Sequence, residues 1–143
     1  MEDGQLYRVI VEGSPDAIIF GDADGIIRLW NAGAEAMFGY RAAEAIGKSM
    51  DLIIPERLRA RHWDGYRRTM ETGQSRYGAG DLLAVPAITK DGRNISIEFT
   101  IQMLKDGAGK ILGPVAVLRD VTKRFQRDKE MAKRLKELEA KGG

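Results

Sequence analysis

Cysteine is absent from the 143 residues, and histidine occurs once, at His62. Without thiols the chain forms no disulfide, no thiolate zinc site and no cysteine nucleophile. A single imidazole rules out a multi-histidine metal site, and any Ser-His-Asp triad would have to use His62 itself. Long apolar runs are also missing. Nothing approaches the ~20 residues that cross a bilayer, and the acidic opening Met1-Glu2-Asp3-Gly4 leads into no secretory-type apolar segment. No membrane partner and a cytoplasmic location are therefore expected. Charge of one sign is scarce as well: 23 Lys and Arg against 21 Asp and Glu leave a net +2, too little for a nucleic-acid footprint. What remains, 43% hydrophobic and 31% charged, is the composition of one ordinary domain with its own core.

The chain divides into three stretches. Residues 5–12 place Leu6, Val9 and Ile10 on one face of a short helix, which Gly13-Ser14-Pro15 stops. A hairpin follows, Ala17-Ile18-Ile19-Phe20 and Ile26-Ile27-Arg28-Leu29-Trp30 about an Asp- and Gly-rich loop. Asn31 is the expected N-cap of a helix through Met37 that Gly39 ends. Short turns are expected at 41–46 and at Asp51–Ile54, the latter with Asp51 as cap. A longer helix then starts at Pro55 and closes at Gly73. Beyond Gly80 the pattern is strand. Ile95, Ile97, Phe99, Ile101 and Met103 alternate with Ser96, Glu98, Thr100 and Gln102, giving a half-buried strand behind the turn Lys90-Asp91-Gly92-Arg93. A last strand covers Ile111–Leu118. Five strands, two before the helices and three after, predict an α+β domain with an antiparallel sheet. From Val121 to Lys141 there is no Gly or Pro. Lys123–Lys141 holds eight basic and four acidic residues, with Phe125, Met131, Ala132, Leu135 and Leu138 as apolar positions of one exposed helix.

These landmarks, in order, resemble a PAS domain. They are Ser14-Pro15-Asp16-Ala17-Ile18, Asp24-Gly25-Ile26-Ile27, Asn31-Ala32-Gly33-Ala34-Glu35, Phe38-Gly39-Tyr40, Ile46-Gly47-Lys48, Lys90-Asp91-Gly92 and Leu118-Arg119-Asp120-Val121-Thr122. The resemblance covers residues 5–122 and implies three parts: a flanking helix in 1–13, the PAS domain in 14–122 and a signalling helix in 123–143. It implies a single PAS fold: a five-stranded antiparallel sheet that encloses, with short helices on one face, a pocket for a small ligand or cofactor. Occupancy of that pocket is passed outward along the C-terminal helix. A homodimer through the terminal helices is expected, with Leu6, Val9 and Ile10 docking on the outer sheet face. No kinase, cyclase or DNA-binding output fits in the remaining residues. The partner is therefore an output domain or a separate signalling protein, as in two-component systems. Within this family the lack of cysteine excludes a flavin–cysteinyl photoadduct and a thioester-linked chromophore.

The segment Pro55-Glu56-Arg57-Leu58-Arg59-Ala60-Arg61-His62-Trp63-Asp64-Gly65-Tyr66-Arg67-Arg68 resembles the proximal helix of FixL-type haem-PAS oxygen sensors and of the related haem-PAS phosphodiesterases. His62 falls on their haem-ligating histidine, which implies haem b with His62 as the metal ligand and a diatomic gas as the signal. Leu58, His62, Tyr66 and Met70 recur at i+4, so His62 and Tyr66 share a helix face. Arg68 matches a position that approaches a haem propionate. On the distal side the resemblance breaks: Leu83 stands where the oxygen sensors carry an arginine, and Asp81 where the phosphodiesterases carry a methionine ligand. Phe99 and Ile101 correspond to apolar distal-wall positions.

Other readings stay open. PAS domains that bind no haem also carry an Arg-His pair here, with the histidine at the surface or hydrogen-bonded. A non-covalent flavin, or no cofactor, fits the same pocket. In the ligand-free version, large side chains of Ile95–Met103 fill the cavity and the chain is a dimerisation or docking module. An enzyme is not expected, because spacing assembles no nucleophile–base pair or metal cluster. Gly78-Ala79-Gly80 precedes a strand and is no phosphate loop. Asp22 and Asp24 have turn roles, and Arg57, Arg59, Arg61, Arg67 and Arg68 form a solvated face.

Overall fold

The computed structural model describes residues 1–74 and 83–142. Five strands form one antiparallel sheet: β1 (Ala17–Gly21), β2 (Ile27–Trp30), β3 (Leu83–Ile88), β4 (Asn94–Lys105) and β5 (Ile111–Asp120). Their spatial order is β2-β1-β5-β4-β3, so the last strand lies beside the first. Helix α1 (Asp3–Gly13) precedes the sheet and α5 (Thr122–Gly142) follows it. Between β2 and β3 the chain forms α2 (Ala32–Phe38), α3 (Ala42–Ala45) and α4 (Arg59–Thr72), with 3₁₀ turns at Met50–Ile53 and Glu56–Leu58.

Local chemistry accounts for these boundaries. Asn31 has an extended backbone and its side chain accepts from the Ala34 amide at 3.0 Å, capping α2. The same buried carboxamide accepts from Ile18 N at 2.8 Å and donates to Val11 O at 2.8 Å and Asp16 O at 3.0 Å. One side chain thus joins α1, β1 and α2. Gly39 (φ 82°) and Gly73 (φ 72°) end α2 and α4 in the left-handed region, as expected. Two details differ from the sequence reading. Ser49, not Asp51, caps the Met50–Ile53 turn, its hydroxyl accepting from Asp51 N at 3.1 Å. The helix expected from Pro55 opens as a 3₁₀ turn, closed by Leu58 N donating to Pro55 O at 2.9 Å, and becomes α-helical only at Arg59.

The sheet has a packed inner face. Ala17 stands opposite Leu118, Ile19 opposite both Ala116 and Trp30, and Phe99 opposite Leu118. Ile95, Ile97 and Ala87 join them beneath Ala34, Phe38, Ala45 and Ile53 of the helical layer. Trp30 centres this core, 5.5 Å from Phe38 and 6.3 Å from Tyr40 by ring centroid. Its indole N–H donates to Tyr40 O at 2.9 Å. Strand β5 runs two residues beyond the expected Leu118, because Arg119 and Asp120 still pair with Glu98 and Ile97.

The expected docking of α1 on the outer sheet face is not made within one chain. Leu6, Val9 and Ile10 are exposed, and the principal neighbour of α1 is α2. The cause is the Asn31–Val11 hydrogen bond, which ties the end of α1 to the start of α2. Phe125, Met131, Leu135 and Leu138 of α5 are exposed as well.

Candidate cofactor site

Two aromatic side chains hold helix α4, Tyr66 to the first hairpin and Trp63 to the Met50–Ile53 turn. Tyr66 Oη donates to Asp22 O at 2.5 Å, and Trp63 Nε1 donates to Asp51 Oδ1 at 2.7 Å. The Trp63 ring packs so closely on Gly25 (φ 77°) that a Cβ there would fall 2.1 Å from two ring carbons. The hairpin loop is itself rigid. Asp22 Oδ1 accepts from the Asp24 and Ile26 amides at 2.9 and 3.0 Å, and Oδ2 from Arg28 Nε at 2.8 Å. Partial desolvation opposes ionisation of Asp22, but the hydrogen bonds from Arg28, Ile26 and Asp24 outweigh it and hold the carboxyl below its ordinary range.

His62 lies between these anchors. Its ring centroid is 4.7 Å from that of Trp63, edge to face, and 5.7 Å from that of Tyr66. Nδ1 is buried and has no hydrogen-bond partner among the described residues. Loss of water lowers the imidazole pKa below its ordinary value, and the charge of Asp51 opposes this only in part. The ring is therefore neutral near pH 7 with a nitrogen left uncommitted. A buried polar atom without a partner is costly in an ordinary core, and a neutral imidazole is a good donor to iron. Tyr66 is shifted upward, first by burial and then by the charges of Asp22 and Asp24, so its hydroxyl stays a donor.

The inner face of the sheet is apolar along β4. The Leu83 backbone pairs with Phe99, and Ile101 follows on the same face of β4, opposite Ala116. Ile95 and Ile97 are buried, whereas Phe99, Ile101 and Met103 farther along the strand are only half-buried. The core is dense under α2 and loosens toward the far end of β4.

Of the predicted site residues, Phe99 and Ile101 fall on one sheet face and the Leu83 backbone pairs with Phe99, while His62 and Tyr66 share α4. Tyr66 commits its hydroxyl to the hairpin, so it positions α4 as well as bordering His62. Arg68 is exposed on α4 and makes no ion pair among the described residues. Asp81 and Gly78-Ala79-Gly80 lie outside the described residues. The sequence reading missed the Asp51–Trp63 anchor, whose partners are 12 residues apart with no pattern linking them. Met103 was visible in the alternation of β4 but was not singled out. Among the described residues no three His, Asp or Glu converge on a metal position, so an iron site here needs a ligand set that a macrocycle completes.

A five-stranded sheet in this order, short helices over one face and a helix at each end define the architecture of a sensory domain. The model of the PAS fold matches residues 5–121, and the chain belongs to the PAS family. Among curated relatives, the sensor protein FixL of Bradyrhizobium diazoefficiens is 31% identical over 119 residues, covering 83% of this chain and 23% of FixL. The oxygen sensor protein DosP of Escherichia coli is 28% identical over 120 residues, 84% of this chain and 14% of DosP. The chain thus spans less than a quarter of either relative. A solved PAS domain from Colwellia psychrerythraea superposes with a TM-score of 0.74 at 21% identity, covering 85% of this chain and 99% of that one.

Proposed function

We propose that this PAS sensory domain holds haem b through His62 and reports a diatomic gas, relaying the signal through α5 and a homodimer to an output domain or partner signalling protein. The observation that carries the reading is the buried, unpartnered Nδ1 of a neutral His62, on a helix braced to the first hairpin by Tyr66 and to the Met50–Ile53 turn by Trp63. The apolar, half-buried Phe99, Ile101 and Met103 supply a surface suited to a flat hydrophobic macrocycle. Haem iron, when bound, supplies an open coordination position for the gas. The chain's own residues do the rest. His62 donates a nitrogen, Trp63 and Tyr66 fix the angle of its helix, and exposed Arg68 is free to meet a propionate at the mouth. Leu83 in place of an arginine offers no hydrogen bond to a polar bound gas, which favours carbon monoxide or nitric oxide over oxygen.

Haem titration of the purified chain tests this. A sharp Soret band at one haem per chain is expected for the wild type and its loss for His62→Ala, with circular dichroism unchanged. A band of equal strength in both would end the assignment of His62. The exposed apolar residues of α1 and α5 favour a second reading, a dimerisation module without cofactor. No band with either protein, together with a tight dimer, would select it, and a yellow eluate would select a non-covalent flavin.

A further inference from the structure

The outer face of the sheet carries a row of charges apart from the cofactor site. Ala17 and Leu118 stand opposite each other with side chains inward, so their neighbours Asp16 and Arg119 meet on the outer face, where Arg119 Nε lies 3.3 Å from Asp16 Oδ2. On its other side Arg119 stands directly opposite Glu98 of β4. Glu98 forms an ion pair with Arg124, in the first turn of α5. From Asp16 to Arg124 the signs alternate, the favourable arrangement for neighbours across strands. Glu98 is the deepest of the four, its side chain only 15% exposed.

Both ends of the row are roots of terminal helices. At one end the Asp16 carbonyl and the last turn of α1, through Val11 O, share the Asn31 amide. At the other, α5 begins on β4: Val121 N donates to Ser96 O at 2.8 Å, and Ser96 N to Thr122 Oγ1 at 3.0 Å. Asp120 Oδ1 accepts from Thr122 N at 2.9 Å. Arg119 therefore sits between two carboxylates, one fixed near α1 and one paired to α5.

We propose that this row is a direct line between the terminal helices, through which a change in the seating of α1 alters the seating of α5. Arg119 is the shared element. While Asp16 holds it, Glu98 keeps Arg124 as its main countercharge. When the root of α1 moves and Asp16 withdraws, Arg119 turns to Glu98, competes with Arg124 and loosens the first turn of α5. The domain then accepts input at α1 and not from the inner face of its sheet alone, and this holds whether or not a cofactor is bound.

Amide hydrogen exchange on the full chain at low salt reads this line at Val121–Phe125. Asp16→Asn is expected to speed exchange there about threefold, the scale of a partly exposed ion pair. In an Arg119→Gln background the same substitution is expected to have no effect, because the competing guanidinium is gone. Arg119→Gln alone leaves the α5 root as protected as in the wild type or more so. In the Arg119→Gln background, where no like charge stands opposite position 98, the swap Glu98→Arg with Arg124→Glu restores the protection that Glu98→Gln removes. Exchange at the α5 root that ignores Asp16→Asn, or responds equally with and without Arg119, overturns the proposal. A melting curve for each variant shows that the fold is intact.

Discussion

Asn31 is a buried polar side chain and half-buried His62 hides its Nδ1, and the two differ in how their polar atoms are used. Asn31 satisfies its carboxamide completely, bridging Ile18, Ala34, Val11 and Asp16. Asn31→Ala removes a helix cap and strands several buried backbone groups, so a loss of about 3 kcal/mol is expected in urea unfolding. His62 leaves Nδ1 unused, which suits a ligand and not a scaffold residue. Its folded-state pKa lies below its ordinary 6.5, so the unfolded chain takes up the proton first. The cofactor-free domain then keeps its full stability above about pH 6.5 and loses stability as the pH falls below it, until the folded imidazole protonates too. Urea unfolding at about pH 7.5 and about pH 5.5 reads this difference, and His62→Gln is expected to remove that part of the slope.

At the scale of elements, α4 and the first hairpin act as one unit, because Tyr66 bonds to Asp22 and the Trp63 ring packs on Gly25, both in a loop that the Asp22 side chain has already made rigid. Gly25→Ala drives a methyl into the Trp63 ring at a left-handed backbone position. It is expected to cost about 2 kcal/mol and to weaken haem uptake, which unfolding and titration measure separately. Elements like these were legible wherever the signal was local. The alternation along β4, the Asn31 cap and the terminating glycines of α2 and α4 are one-dimensional patterns. The Asp51–Trp63 and Tyr66–Asp22 bonds were not legible, since they join residues that only the tertiary packing of α4 brings together. The cap at Ser49 was misassigned to Asp51 because either residue type serves and two positions separate them. Candidate site residues were legible through the family likeness of the α4 segment, while composition and spacing alone yielded only a lone histidine on a helix.

On the scale of the whole molecule, an antiparallel sheet separates two kinds of surface. The inner face is sealed at one end by Trp30 and Phe38 and looser at the other around Phe99, Ile101 and Met103. The outer face and both terminal helices carry apolar residues that one chain leaves uncovered. Helix α5 is expected to pair with its copy, and Leu135→Lys with Leu138→Lys is expected to shift sedimentation from dimer to monomer without loss of haem binding. The sensory reading rests on the looser half of the inner face being where a His62-held macrocycle lies. Methyl NMR of Ile101 and Met103 during haem addition measures that directly. Large ring-current shifts of these methyls in the wild type, absent in His62→Ala, are the predicted result; shifts confined to surface methyls, or identical in the variant, would contradict it.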